Sequence, residues 1–165
     1  MQRFAREEKV IFLGQQVLSE DFYGTLKGIP AEKRIEMPVA EEMQLGLSIG
    51  LALEGFMPVS IFQRMDFLPR ACDQLVNHLN LIPQLSKGVF KPKVIIRTTI
   101  GSRYPLDAGL QHTQDLTKMF KAVLKFPVLK VITPKEVNHA YNFARDSKTS
   151  VMVIEVQDLY RTKVR

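Results

Sequence analysis

The chain has 165 residues, 45% hydrophobic and 24% charged, with a formal net charge of +6, which suits one globular domain with a sizeable core and leaves no apolar run long enough for a membrane span. Its 23 basic residues are scattered, without runs of like charge or alternation with aromatics, and this argues against a nucleic-acid partner. The single cysteine, Cys72, has no internal partner for a disulfide and fits a reducing cytoplasm.

Taken in order, the start MQRFAREEKVIFLG is too charged, and its apolar part too short, for a secretory signal. Residues 9–13, KVIFL, read as a buried parallel strand that stops at Gly14. Residues 17–26 are predicted helical, with Gly28 and Pro30 as stop signals. Residues 34–39 form a short extended run, since Pro38 fixes its own φ and keeps Met37 out of the helical region.

The stretch that follows has mixed periodicity. Met43, Leu45, Leu47, Ile49, Leu51 and Leu53 alternate as in a strand, but the residues between them include Gly46, Ser48, Gly50 and Ala52. Small residues four apart suggest a buried helix approached closely by another backbone. Its head carries Glu41.

Gly55 and Pro58 then bracket a turn into a second strand at 59–62. Residues 66–81, DFLPRACDQLVNHLNL, keep apolar spacings of three and four and predict one amphipathic helix, capped by Asp66 with Pro69 in its first turn. A loop over 82–92 leads to a β-branched strand at 93–98 and a long loop at 99–114. Leu116, Met119, Phe120, Val123 and Leu124 trace another helical face, 128–132 a strand, and Thr133-Pro134-Lys135-Glu136 a capping box that opens a helix to about Arg145. VMVIEV at 151–156 closes the sheet, and strands alternating with helices give an α/β sandwich with a mostly parallel sheet.

Glu36-Met37-Pro38-Val39-Ala40-Glu41 and the glycine-containing helix after it resemble the signature of the pyrimidine-binding domain of thiamine diphosphate enzymes. Transketolases and the beta subunits of 2-oxoacid dehydrogenases carry this domain, and the likeness runs over about residues 8–160. Asp73-Gln74 and Gln111-His112-Thr113-Gln114 are similar to further motifs of the dehydrogenase beta subunits. Ala40 stands where the family usually has serine, Met43 where glycine is common, and Gln15 and Gln16 where the beta subunits often have acids.

The resemblance implies a three-layer αβα sandwich of the pyrimidine-domain type, and a single such domain over 1–165. It places Glu41 as the acid facing a ring nitrogen of the aminopyrimidine, a role that suits a buried carboxyl because burial favours its neutral form and lets it hold and share a proton. Val39, Gln63 and Phe67 would contact the cofactor, Phe67 by stacking, and His112 would meet substrate or intermediate. Nothing matches the glycine-aspartate-glycine and asparagine motif with which the family holds magnesium and diphosphate, so the implied chain holds no metal itself and needs a diphosphate-binding subunit or domain, as a homodimer or hetero-oligomer. The alternative is an inactive interaction module that keeps the fold.

Overall fold

Six apolar segments pair edge to edge in a computed structural model that describes residues 1–19, 24–103 and 107–161. They are β1 (Val10–Gly14), β2 (Arg34–Glu36), β3 (Met57–Phe62), β4 (Ile95–Ile100), β5 (Val128–Val131) and β6 (Val151–Val156). Their order across the sheet is β2-β1-β3-β4-β6-β5, and every pairing is parallel. Strands covered on both faces read as continuous apolar runs, and all six residues of the central β4 are buried.

Helices α1 (Gln2–Ala5), α2 (Glu41–Leu53), α3 (Ile82–Leu85), α4 (Thr117–Val123) and α5 (Pro134–Asp146) account for the outer layers. On one face Leu45 and Ile49 of α2, Leu68, Leu75 and Phe120 of α4 pack with Phe62, Ile96, Met152 and Ile154. On the other, Phe4 of α1 and Ala140, Tyr141 and Ala144 of α5 pack with Phe12, Val59, Ile95 and Val153. Each large apolar side chain removed from water in these layers contributes roughly 1.5–3 kcal/mol before entropy is counted. The result is the three-layer αβα arrangement, with a sheet that is wholly rather than mostly parallel among the described residues.

In α2 the helical period prevails over the strand alternation. Glu41, Gln44, Leu45, Ser48 and Ile49 are buried, whereas Met43 and Leu47 of the alternating set face outward. Gln44 ties the helix to β3 by donating from Nε2 to Ser60 Oγ and to the Ile61 carbonyl, each at 3.0 Å. No backbone crowds the glycines of α2: a Cβ on Gly46 would meet only the Gln74 side chain at 3.6 Å, and one on Gly50 would meet nothing within 4 Å. The close backbone approach expected there is absent within the described chain.

Other expectations also change. Residues 66–81 are not one α-helix: Met65–Ala71 is a 3₁₀ stretch and Asp73–Leu79 a π stretch, ending with Asn80 N donating to the Leu75 carbonyl. Burial follows these periods, with Met65, Leu68 and Ala71 three apart and Leu75 and Leu79 four apart. Both spacings look α-helical in sequence. Asp66 does not cap the stretch but accepts hydrogen bonds from Gln114. The described parts of 17–26 form turns rather than a helix, while 20–23 lie outside the described residues. Pro58 sits inside β3, buried opposite Ile11, and the 82–92 loop contains α3. The capping box of Thr133 and Glu136 forms as expected.

Candidate functional site

The chain leaves β1 for β2 on one side, then crosses to β3 on the other, so the β1–β3 crevice is a topological switch point where α/β sheets place ligands beyond their carboxyl ends. Gln15 follows β1, Glu41 opens the helix between β2 and β3, and Gln63 follows β3. Local backbone fits these positions. A Cβ on Gly14 would come within 2.4 Å of the Ile61 carbonyl, so only glycine lets β1 end this close to β3.

Glu41 is the first residue of α2, after Ala40, which provides no side-chain cap. A carboxylate at this end is stabilised by the unpaired N–H groups and the positive end of the helix dipole. It is 3% exposed, and its Oε1 accepts a 3.4 Å hydrogen bond from Gln15 Nε2. Its Oε2 lies 3.2 Å from Nε of the largely exposed Arg70 but receives no hydrogen bond. Buried polar atoms are nearly always paired. A buried carboxylate oxygen that has a charge partner but accepts no hydrogen bond fits a group that brings its own donor, as a protonated ring nitrogen does. Glu41 also lines an open cleft of about 710 Å³ with Val39, Met43, Leu47, Arg70 and Gln74.

The other sequence-derived residues fall into two places. Gln63 donates from Nε2 to the Gln15 carbonyl at 3.2 Å and to Gln16 Oε1 at 3.1 Å, so it reaches Glu41 only through Gln15. Phe67 does not line the cleft; its ring stands edge-on to His112 with centroids 5.7 Å apart and planes at 87°. His112 is half-buried and its Nδ1 has no hydrogen-bond partner among the described residues. Its backbone is held by a glycine: a Cβ on Gly101 would lie 2.0 Å from the His112 carbonyl oxygen. Glu42, beside Glu41, is exposed.

Sequence reasoning missed Arg70, Gln15 and Gly101 as parts of this site. Gln15 carried a signal, as a departure from the acids of the beta subunits. Arg70 carried none, because its partner lies in another element. Among the described residues, no group of three or more His, Cys, Asp or Glu side chains stands close enough to hold a metal ion.

A parallel αβα sheet with a buried carboxylate at its switch point is the architecture of an α/β ligand-binding domain. The family described as transketolase, pyrimidine binding domain, matches residues 3–163, and the chain belongs to this family of thiamine diphosphate enzyme domains. It is 27% identical over 166 residues to the mitochondrial pyruvate dehydrogenase E1 component subunit beta of Ascaris suum, covering 96% of this chain and 45% of that protein. Against the Dictyostelium discoideum mitochondrial subunit it is 30% identical over 139 residues, covering 81% and 37%. The chain thus spans less than half the length of these relatives. Among solved structures, a split gene transketolase described as an inactive beta4 tetramer shares the fold, with a TM-score of 0.70 at 15% identity over 92% of this chain and 46% of that one. No helix among the described residues is long and apolar enough to cross a membrane.

Proposed function

We propose that the chain is the pyrimidine-binding component of a thiamine diphosphate-dependent 2-oxoacid dehydrogenase and works with a diphosphate-binding partner. The observation that carries this reading is the buried Glu41 carboxylate, with one oxygen that accepts no hydrogen bond, on the wall of an open cleft. Thiamine diphosphate, when bound, supplies the nucleophilic carbon that attacks the oxoacid carbonyl and takes up the electrons left by decarboxylation.

In this reading Glu41 Oε2 faces a ring nitrogen of the aminopyrimidine and exchanges a proton with it, while Gln15 fixes the carboxylate through Oε1. Val39 contacts the cofactor from the cleft wall, and Gln63 acts at the pyrimidine edge through Gln15. Phe67, which stands outside the cleft against His112, would stack on the pyrimidine as the resemblance implies, and His112, whose Nδ1 accepts no hydrogen bond, would meet the substrate. Magnesium and the diphosphate are held by the partner. Val39, Met43 and Leu47 are 75%, 53% and 38% exposed around the cleft, which supports a partner subunit closing it. Cys72 is half-buried and burial pushes its thiol pKa up, which suits an unreactive structural thiol.

A specific observation favours a second reading, an interaction module without catalysis: the Arg70 cation already lies against Glu41. Purification of the tagged chain from its native cells, with mass spectrometry of what co-purifies, separates the two. A stoichiometric partner with the glycine-aspartate-glycine and asparagine motif, together with oxoacid turnover lost in Glu41→Gln, is expected. Recovery of a homodimer alone, or full turnover by Glu41→Gln with the partner, would overturn the enzymatic reading. Two-carbon ketol transfer by the same complex, in place of oxoacid turnover, would move the substrate class toward transketolase.

A further inference from the structure

The opposite end of the sheet carries a second cavity, of about 380 Å³, where the chain enters β4, β5 and β6. Leu79, Pro83, Pro92 and Phe126 give it apolar walls, and Leu79 and Phe126 are only 2% and 8% exposed. The buried polar side chains of the wall are already satisfied within the protein. Asn80 Nδ2 donates to the Val123 carbonyl at 3.3 Å, and its Oδ1 accepts from Lys125 N at 2.7 Å. Ser150 Oγ accepts from Val94 N at 3.0 Å and donates to the Pro92 carbonyl at 3.2 Å. The interior therefore offers an occupant apolar surface rather than unmet hydrogen bonds.

The rim is different. Lys91, Lys125 and Lys148 all line the cavity, and no carboxylate does. Lys125 Nζ donates to Gln84 Oε1 at 2.6 Å, which leaves two of its three N–H groups, and none of the three lysines pairs with an acid among the described residues. Three like charges around one hollow repel each other, and an anion between them would relieve that repulsion. An apolar hollow with convergent polar groups at its mouth is the usual build of a small-molecule site.

We propose that this cavity binds a small amphipathic organic anion, with an aryl or short acyl body against Leu79 and Phe126 and its carboxylate, sulfonate or phosphate between Lys91, Lys125 and Lys148. The site is separate from the Glu41 cleft, which lies beyond the carboxyl ends of the strands, and does not depend on the function proposed for that cleft.

The test uses 8-anilinonaphthalene-1-sulfonate as the probe, followed by its fluorescence with the intact chain. Saturable one-to-one binding with Kd on the order of 10–100 μM is expected, weakening as salt rises. Lys91→Gln/Lys148→Gln should raise Kd about tenfold or more through loss of two of the three charges, and the uncharged N-phenyl-1-naphthylamine should bind at least about tenfold more weakly than the sulfonate. All three lysines are exposed, so their replacement leaves the core intact, which near-UV circular dichroism confirms. Lys125→Gln provides an independent variant if the double one is unfolded. No saturable binding, the same Kd in a folded variant, or equal binding of the uncharged analogue would overturn the proposal.

Discussion

Arg70 Nε and Glu41 Oε2 stand 3.2 Å apart, yet the guanidinium lies off the line a hydrogen bond needs. The contact is therefore a charge contact. It compensates a buried carboxylate from the solvent side, since the Arg70 side chain is 72% exposed and that of Glu41 only 3%. Arg70→Gln should cost about 1–2 kcal/mol at neutral pH, between the small value of an exposed pair and the larger one of a buried pair. Glu41→Gln removes the charge that needs compensation, so the loss caused by Arg70→Gln should shrink in that background. Urea unfolding of the four proteins in a double-mutant cycle measures the coupling. Strictly additive effects would show that the two side chains do not act on each other.

Gly101 decides where His112 sits. Its own backbone is not left-handed, so the requirement for glycine is one of space: any side chain would run into the His112 carbonyl at 2.0 Å. Gly101→Ala should destabilise the protein by about 1–3 kcal/mol, as overpacking does. It should also move the His112 ring from its edge-on position against Phe67. The ring-current shift of the His112 C–H protons in NMR spectra reads this directly. An unchanged shift with lowered stability would place the strain elsewhere in the loop.

The fold was legible because its signals are local. The apolar runs at β1, β4 and β6, the punctuation at Gly14, and the capping box at Thr133 each act over a few residues, and each stands close to where sequence placed it. The parallel arrangement followed from their alternation with helices. The 65–79 stretch was misread because spacings of three and four serve 3₁₀, α and π geometry alike. In the site, Glu41 and His112 stood out through neighbouring residues in sequence. Arg70 and Gln15 stayed hidden because their contacts with Glu41 span 29 and 26 positions, and only the packed sheet brings them together.

Asp66 anchors the loop that carries His112. Its Oδ1 accepts from Gln114 N at 3.2 Å and from Gln114 Nε2 at 3.0 Å, across 48 positions of sequence. Asp66→Ala removes both bonds and should cost about 1–2 kcal/mol. The loss should be local. Amide hydrogen exchange at 110–115 should accelerate about tenfold, with the strands of the sheet little changed. Uniform acceleration across β3, β4 and β6 would instead show that Asp66 supports the global fold.

The buried polar cluster on the α5 face couples the stability of the domain to pH. Arg97 donates from Nε to Glu155 Oε1 at 3.1 Å and from Nη2 to Oε2 at 3.3 Å, and both Tyr141 and Tyr160 donate their hydroxyls to the same carboxylate. Burial alone would push the Glu155 carboxyl up, but the Arg97 charge and these hydrogen bonds outweigh it and hold the group below its ordinary value. The stability it contributes is present above the unfolded carboxyl value of about 4.3 and is lost as pH falls through the folded value. Burial, with the Glu155 charge nearby, pushes both tyrosine hydroxyls up. Their contribution is complete below the unfolded value of about 10 and declines as pH rises above it. Through this cluster, urea midpoints should therefore fall below about pH 5 and again above about pH 9. Glu155→Gln takes a buried carboxylate counter-charge from the buried Arg97 cation and should cost up to about 3–5 kcal/mol at pH 7, while flattening the acid limb. Tyr160→Phe should remove an absorbance change at 295 nm that in the parent protein appears only with alkaline unfolding. Ionisation of Tyr160 near pH 10 in the folded protein, or an acid limb unchanged by Glu155→Gln, would show that this cluster does not govern the profile.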